Sequence, residues 1–513
     1  MTGMNKRLLI GLIGWCTPLL AQAQVRLAEF WQSGMVIQRD QPITVWGWGK
    51  PDRVVQVRLE EEERQVVVAP DSGWAIRFSA RSASASTLRL AVQADSTHIE
   101  LTDLLMGDVY LCAGQSNMAF PMAGDQHAAQ TLPAAHNPLL RLYDREPGAF
   151  RYNEPYTIHD AAYLIPSRYY KPGRWQVADS LSVRQFSAVC YYAGQQIQQT
   201  VGIPIGLMHM AVGGSPAEAW MQPEPDTPDT LLFSIFGRDW WQNPALEPWC
   251  IQRGHENLDS LLRVGYPLPR GPLGINHPYQ PGFLYQAAIA PLTRLSIKGI
   301  LWYQGESNAL SLTRVRQHEH LFPRLVAGWR QAWQRIDLPF FVCQLSSIST
   351  QKGYRSEYWP LFRDGQRRMA AQLPHIGMAV TSDVGHRTNV HPTDKKTVGE
   401  RLARVILIQA YRQPLLAAPQ PLQVRRRGGG WVLRMANTGR RLQTADGQPV
   451  RGFAVGDAVG PQANLSARLN RNQIVLRGVG TGAYLYYGWD PFSTANVVNS
   501  AGLPLTTFQL PLP

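Results

Sequence analysis

The sequence predicts an α/β protein in which a parallel sheet flanked by helices lies between two β-rich modules. Five nearly continuous apolar segments alternate with segments of helical period between about residues 104 and 414. Continuous apolar strands are typical of parallel sheets covered on both faces, and their alternation with helices indicates βα units. Short β-branched segments separated by turn residues fill the chain before and after this region, which predicts the two β modules.

The predicted strands of the sheet are "DVYLCAG", "PIGLMHMAV", "IKGILWYQ", "PFFVCQLS" and "IGMAVTSD". The predicted helices lie around residues 187–200, 315–335, 361–373 and 397–411. Between about residues 223 and 281 the chain is rich in Pro, Trp, Asn and Gly and shows no clear period. We expect that segment to form an irregular rim beside a functional site.

The 513 residues exceed the usual size of one domain, so several units are expected. We predict a signal peptide, a β-sandwich-like domain, an α/β domain and a C-terminal β module, with bounds 1–23, 24–103, 104–414 and 415–513.

The first residues have the pattern of a cleavable export signal. Lys6 and Arg7 precede the apolar run "LLIGLIGWCTPLL", and "AQA" at 21–23 fits a small-x-small cleavage site before Gln24. The run is too short to span a bilayer, and no later stretch resembles a membrane span. A secreted or periplasmic protein is therefore predicted.

The formal net charge is +13, but the basic residues are dispersed, and export argues against a nucleic-acid partner. The run "RRRGGG" at Arg425 indicates a hairpin edge with solvated charges, and a patch for anionic glycans is the alternative. Four cysteines remain after the signal, without the spacing of a metal site and without any feature that identifies a disulfide pair.

Polar side chains follow four of the five predicted strands, where ligand sites of parallel sheets lie. Ser116 follows "VYLCAG", and it could be either a nucleophile at a sharp turn or a helix N-cap. Gly213 and Gly214 end the second strand, where glycines let backbone N–H groups approach a ligand or simply allow a tight turn.

The other two clusters supply amides, a carboxyl group and an imidazole. Gln304, Glu306 and Asn308 follow "GILWY", and the Gln304 amide could donate to an oxyanion, whereas Asn308 could equally cap the next helix. His391 precedes a proline, which restricts its backbone to extended geometry, and His386 in the same loop is a competitor.

The blocks "GQSNM", "GGSPAEAWM", "WYQGESNA" and "HPTDKKTVGERLA" resemble those of the SGNH/GDSL hydrolase superfamily. More closely, they are similar to the sialate O-acetylesterase family of carbohydrate esterases, as is the C-terminal "YGWDPFSTANVVNSAGLPLTTF". The resemblance implies an SGNH-type, flavodoxin-like sheet and a serine-dependent esterase. It also implies an acetylated carbohydrate as the substrate and no metal or organic cofactor.

The resemblance also implies residue roles. Ser116 would be the nucleophile and His391 the general base, and an oxyanion hole would come from the N–H of Ser116, a glycine N–H at Gly213 or Gly214, and the Gln304 amide. Glu306 and Asn308 match the family block without a firm role.

The chain departs from the superfamily pattern just before His391, where Asn389 and Thr388 stand in place of the usual Asp. Asp383 is one candidate for the orienting acid, and a Ser–His dyad steadied by a carbonyl is the other interpretation. The expected activity is removal of O-acetyl groups from sialic acid. The alternatives are deacetylation of a plant polysaccharide such as xylan and a sugar-binding descendant without catalysis.

Overall fold

A computed structural model of the protein describes residues 25–224, 226–350, 355–478 and 482–513. The predicted signal peptide lies outside the described residues. Within the described part, no helix has both the length and the apolar character needed to cross a bilayer.

The N-terminal module consists of two facing sheets. One has the strand order β1-β3-β6 and the other the order β5-β4-β7-β8-β2. The strands are β1 (Arg26–Leu27), β2 (Val36–Gln38), β3 (Ile43–Trp48), β4 (Val54–Leu59), β5 (Glu62–Val67), β6 (Gly73–Phe78), β7 (Ser84–Ala94) and β8 (Thr97–Gly114). Strand β8 continues beyond this module into the central sheet, so the predicted division at residue 103 falls inside a strand.

The central sheet is mixed, with the order β10-β9-β11-β8-β14-β15-β16. Besides β8, its strands are β9 (Asn137–Asp144), β10 (Arg174–Ala178), β11 (Ile205–His209), β14 (Gly299–Tyr303), β15 (Phe340–Cys343) and β16 (Ile376–Ala379). A separate two-stranded hairpin consists of β12 (Arg270–Gly271) and β13 (Gly274–Ile275). All neighbours are parallel except β10, which pairs antiparallel with β9.

The wholly parallel sheet expected from the sequence is therefore corrected to a sheet with an antiparallel edge. The five predicted strands are present as β8, β11, β14, β15 and β16, whose spatial order is 2-1-3-4-5 when only these five are numbered. Strands β9 and β10 extend the sheet beyond β11, and the SGNH-type assignment stays a prediction.

The helices are α1 (Ser116–Ala119), α2 (Ala128–Thr131), α3 (Ile158–Ala161), α4 (Ser180–Gln185), α5 (Ala188–Val201), α6 (Thr230–Phe236), α7 (Pro248–Arg263), α8 (Leu312–Ala332), α9 (Trp359–Gln372) and α10 (Lys395–Ala410). The four predicted helices correspond to α5, α8, α9 and α10. Helices α6 and α7 lie in the segment that was expected to be irregular, which is a correction. In α7 the buried residues Cys250, Gly254, Leu258 and Leu261 recur at helical spacing, so the helical period is present, although the same face also buries the polar side chains of Arg253 and Asn257.

The C-terminal module contains two four-stranded sheets, ordered β17-β18-β23-β22 and β21-β20-β24-β26, and a short pair β19-β25. The strands are β17 (Gln420–Arg427), β18 (Gly430–Ala436), β19 (Gln443–Thr444), β20 (Phe453–Gly456), β21 (Pro461–Asn464), β22 (Ser466–Asn470), β23 (Gln473–Arg477), β24 (Tyr484–Tyr487), β25 (Val497–Val498) and β26 (Phe508–Pro511). Strands β17 and β18 form the hairpin expected at "RRRGGG".

Candidate active site

A cavity of about 170 Å³ lies at the carboxyl ends of β8, β11 and β14. It is lined by Gln115, Ser116, Tyr152, Gly214, Trp249, Glu306, Ser307, Leu310, Arg355, Val390 and His391. Four of the predicted site residues are thus brought together, namely Ser116, Gly214, Glu306 and His391. Ligand sites of open α/β sheets occupy this position.

Ser116 is placed at the cavity by a turn that only glycine permits. Gly114 ends β8 with φ +136°, and a Cβ atom there would lie 2.2 Å from the Tyr303 carbonyl oxygen of the neighbouring strand. The next amide, that of Gln115, donates to the same oxygen at 3.0 Å. Gln115 holds the N-cap position, so Ser116 is the first residue of α1 and not its cap.

Gly214 forms the opposite wall of the cavity with a left-handed backbone at φ +71°. A Cβ atom there would lie 2.2 Å from the Tyr279 hydroxyl, which donates to the Gly213 carbonyl at 2.8 Å. Among the described residues, the backbone N–H groups of Ser116 and Gly214 have no hydrogen-bond partner. Two donors are therefore available where a ligand would bind.

Gln304 and Asn308 are buried beside the cavity and do not line it. The Gln304 amide donates to the Asn308 side-chain oxygen at 2.6 Å and to the Ser215 carbonyl at 3.4 Å. The Asn308 amide donates to Glu218 at 3.0 Å, and Glu218 is paired with Arg314. The structure therefore places both side chains in a network that fixes the loop after β14.

Asn117 joins three elements beneath the cavity. Its amide nitrogen donates to the Glu306 carboxylate at 2.5 Å and to the Val390 carbonyl at 3.0 Å. Its side-chain oxygen accepts from the Lys395 ammonium at 2.5 Å. Because a protonated lysine can only donate, the amide cannot turn around, and its nitrogen must face Glu306 and the carbonyl next to His391.

Burial changes the pKa of each charged group in this network. The Lys395 side chain is fully buried, over the rings of Phe120 and Tyr303, and desolvation lowers its pKa to about 7 against the opposing charge of Glu306. Burial raises the pKa of the Glu306 carboxyl. Desolvation, and then the Lys395 charge, lower the pKa of His391 to about 4, which keeps its imidazole neutral at ordinary pH.

The loop with His391 is held by local contacts. The His391 amide donates to the Asn389 side chain at 2.9 Å, and the imidazole lies 6.4 Å from the Phe120 ring centre. His386 is exposed and outside the cavity, where its ring accepts from the amides of Thr388 and Asn389. Among the described residues, no hydrogen bond joins Ser116 to His391, a contact that often tightens only when substrate binds.

Asp383 does not contact His391. Its carboxylate forms a two-point pair with Arg401, at 2.5 and 2.8 Å, and it is exposed. In the part of the chain that the structure describes, no hydrogen bond connects it to an imidazole. Nor does that part contain a group of three His, Cys, Asp or Glu side chains placed to hold a metal ion. The cavity combines a hydroxyl, a neutral imidazole and two backbone donors, which are the groups that acyl transfer requires.

A family model described as carbohydrate esterase, sialic acid-specific acetylesterase, matches residues 271–408. The rat sialate O-acetylesterase is 27% identical over 431 residues, which are 77% of this chain and 76% of that protein. The human sialate O-acetylesterase is 26% identical, over 77% of this chain and 73% of that one. The chain is a homologue of the sialate O-acetylesterases.

A solved carbohydrate acetylesterase from Xanthomonas citri has the same overall architecture. The two proteins are 28% identical with a TM-score of 0.76, and the match covers 95% of this chain and 99% of that one. The resemblance seen in the sequence blocks is thereby confirmed, and the homology supports a carbohydrate esterase. The family-model match includes His391 and Glu306, whereas Ser116 lies outside it.

Several residues in and around the cavity of this esterase homologue were not predicted from the sequence. Tyr152 lies in a loop and Trp249 lies at the start of α7, in the segment that was expected to be irregular. Both rings stack with Arg253, whose guanidinium carbon lies 4.4 Å from the ring centre of Tyr152 and 5.4 Å from that of Trp249. Lys395 stands in "HPTDKK", a polar stretch typical of an exposed helix start. Among the residues that were not predicted, only Asn117 could have been identified from the sequence, because it directly follows Ser116.

Replacing Asp383 is expected to change activity little. Asp383→Asn removes the pair with Arg401 and leaves His391 untouched, so kcat/KM should stay within about threefold of the original. An exposed ion pair contributes about 0.2–1 kcal/mol, and the free energy of unfolding should fall by no more than that. Ester hydrolysis and chemical denaturation measure the two effects, and a hundredfold loss of activity in a folded variant would assign the acid role to Asp383.

Lys395→Met should shift the pH profile of kcat/KM. A general base must be neutral, so activity rises with pH through the pKa of His391 and should persist to about pH 5 in the original protein. Around pH 5 Lys395 is charged, and this positive charge is one cause of the low pKa of His391. The substitution removes the charge, so the pKa of His391 should rise. The acid limb should therefore move to higher pH.

The measurement is kcat/KM from pH 4 to 8 for both proteins, with Lys396→Met, a half-exposed lysine next in the chain, as the control. The acids near Lys395 are Glu306, Asp125 and Asp394. An unchanged acid limb in Lys395→Met would show that its charge does not reach the base.

Proposed function

We propose that the chain is a secreted carbohydrate O-acetylesterase that acts on O-acetylated sialic acid through a serine acyl-enzyme. The observation that carries the proposal is the meeting of Ser116 and His391 in one cavity of a homologue of the sialate O-acetylesterases. The low pKa of His391 keeps its imidazole unprotonated, and therefore able to accept a proton, before the reaction begins.

The mechanism follows from the placement of these groups. His391 accepts the hydroxyl proton of Ser116 while the serine oxygen attacks the acetyl carbonyl carbon. The N–H groups of Ser116 and Gly214 donate to the oxyanion of the tetrahedral intermediate. Each of these hydrogen bonds should lower the activation free energy by about 3 kcal/mol. The sugar oxygen then leaves with the proton from His391, and the acetyl group stays on the serine.

Water completes the cycle by attacking the acetyl-serine ester. His391 removes a proton from that water, and acetate leaves as the serine oxygen takes the proton back. Both N–H groups of the Gln304 amide already have acceptors, Asn308 and the Ser215 carbonyl, and the side chain does not line the cavity, so we assign oxyanion stabilisation to the two backbone donors.

Acetate release from a panel of substrates tests the proposal. We expect turnover of p-nitrophenyl acetate, and a higher kcat/KM on O-acetylated sialic acid than on acetylated xylan. Preference for xylan would move the assignment to a plant-polysaccharide esterase. If the folded protein hydrolysed none of these acetyl esters, the conclusion would be that the chain is a sugar-binding descendant without catalysis.

Export is the other part of the proposal, and it rests on the first residues of the sequence. The mature chain is expected to begin at or near Gln24. N-terminal sequencing of protein from the native host measures this, with the cytoplasmic fraction as the control. An intact N-terminus on cytoplasmic protein would contradict export.

A further inference from the structure

The C-terminal module has a charge that the esterase chemistry does not use. Residues 415–513 contain ten arginines, no lysine, three aspartates and no glutamate, a formal charge of +7 out of +13 for the whole chain. More than half of the formal net charge thus lies in one fifth of the chain, which corrects the expectation that the basic residues are dispersed and points to an interaction with an anionic partner.

The strand register places five of these arginines on one face of the sheet β17-β18-β23-β22. Arg425 is level with Val432, Val432 with Val475, and Val475 with Arg468, so the four side chains form one row across the sheet. The next row contains Arg434 together with Gln423, Gln473 and Asn470. Alternate residues of the same strands are buried on the other face, including Leu433, Ile474 and Leu476.

We define the arginine face as Arg425, Arg427, Arg434, Arg468 and Arg477, all of them exposed. Neighbouring strands lie about 4.8 Å apart, so Arg425 and Arg468 are separated by about 14 Å across three strand spacings. The arginine face is thus a basic surface about 14 Å wide on one side of a four-stranded sheet.

No acidic residue of the described chain neutralises the arginine face. The four strands contain neither Asp nor Glu, and none of the five arginines forms an ion pair with a described residue. Two aspartates of the module are engaged elsewhere, since Asp446 pairs with Arg451 and Asp457 accepts from the amides of its own turn. The arginines are therefore free to bind an anion.

The neutral residues of this face indicate which anion fits. Gln423, Gln473, Asn470 and Ser466 lie between the arginines and offer amides and a hydroxyl to sugar hydroxyl groups. The face includes no aromatic side chain for stacking nucleobases, and its outward apolar residues in register are Val432, Ala436 and Val475. Arginine binds carboxylates through two parallel hydrogen bonds, which suits a polymer of acidic sugars.

We propose that the arginine face binds an acidic polysaccharide, a chain of sugars bearing carboxylates, separately from the catalytic cavity. Such a face would keep an anionic glycan on the protein while acetyl esters elsewhere on the polymer reach the cavity. The binding itself does not require the esterase reaction, so it can be tested whether or not the proposed function is correct.

The test measures binding of the full mature protein to polygalacturonate at 25 and 150 mM salt. Arg425→Gln, Arg434→Gln and Arg468→Gln are combined in one variant. The matched control combines Arg58→Gln, Arg77→Gln and Arg174→Gln, which removes three exposed arginines outside the module. Each exposed arginine–carboxylate pair should strengthen binding by a factor of about two to three. Removing three such pairs should therefore raise Kd about tenfold in the first variant, with less than about a twofold change in the control.

Further measurements decide between partners. Binding to polygalacturonate should weaken at 150 mM salt, and binding to dextran, a DNA duplex and phosphatidylserine vesicles should be weaker at equal salt. Equal weakening in both variants, tighter binding to DNA or to the vesicles, or no binding at 25 mM salt would overturn the proposal. Thermal unfolding shows that the variants are folded, and unchanged turnover of p-nitrophenyl acetate shows that the cavity is unaffected.

Discussion

Ser116→Ala should lower kcat/KM for acetyl esters by at least about a thousandfold. Loss of a nucleophile removes the covalent pathway and leaves only the contribution of the oxyanion donors and of binding. The Ser116 side chain makes no hydrogen bond with the described residues, so the free energy of unfolding should change by less than about 0.5 kcal/mol. Acetate release and chemical denaturation measure the two quantities.

Ser307→Ala is the matched control, because Ser307 lines the same cavity. Its hydroxyl donates to the Gly214 carbonyl at 2.8 Å, so its removal should disturb the cavity wall without removing the nucleophile. We expect a loss of no more than about tenfold, the size of one neutral hydrogen bond. If Ser116→Ala kept more than about one per cent of the activity, the nucleophile would have to be a different residue.

His391→Ala should have the second largest effect, a loss of about 10²–10⁴-fold, the range of general base catalysis. The imidazole lies in the cavity and is kept neutral by burial and by Lys395. In the variant, kcat should fall much more than KM rises, because the base acts in the transition state. Steady-state kinetics on a soluble acetyl ester separates the two parameters.

His386→Ala provides the comparison within the same loop. This imidazole is exposed, and it only accepts from the backbone amides of Thr388 and Asn389, so its loss should lower kcat/KM by less than about tenfold. An inactive His386→Ala beside an active His391→Ala would reverse the assignment of the base.

The sequence predicted the parts of the site that depend on strand ends. Continuous apolar strands identified the sheet, and the residues directly after them, Ser116, Gly214 and Glu306, lie in one cavity because parallel strands share an edge. Gln304 follows the same strand, yet its side chain points into a network with Glu218 and Arg314. Side-chain direction after a strand end depends on partners far along the chain, which periodicity does not report.

The electrostatics of the site could not be predicted in the same way. Lys395 follows the cap of α10 in a polar stretch, and its burial depends on Phe120 and Tyr303, which belong to other elements. Asp383 at the end of the last strand was a reasonable candidate acid by position. The facing helix, however, contributes Arg401, which binds that carboxylate. The extra strands β9 and β10 escaped prediction because their residues lack a continuous apolar pattern.

Strand β8 has a consequence for any attempt to reduce this protein to a minimal enzyme. Its first half pairs with β7 in the N-terminal module, and its second half pairs with β11 and β14 and ends two residues before Ser116. Asp108, midway along it, accepts from Gln38 and Arg39 of that module and from Tyr411 after α10. Cutting the chain between these halves would leave an unpaired strand edge and an uncompensated buried carboxylate, so a truncated enzyme should aggregate. The N-terminal sheet is therefore part of the scaffold of the active site, and the two should unfold as one unit.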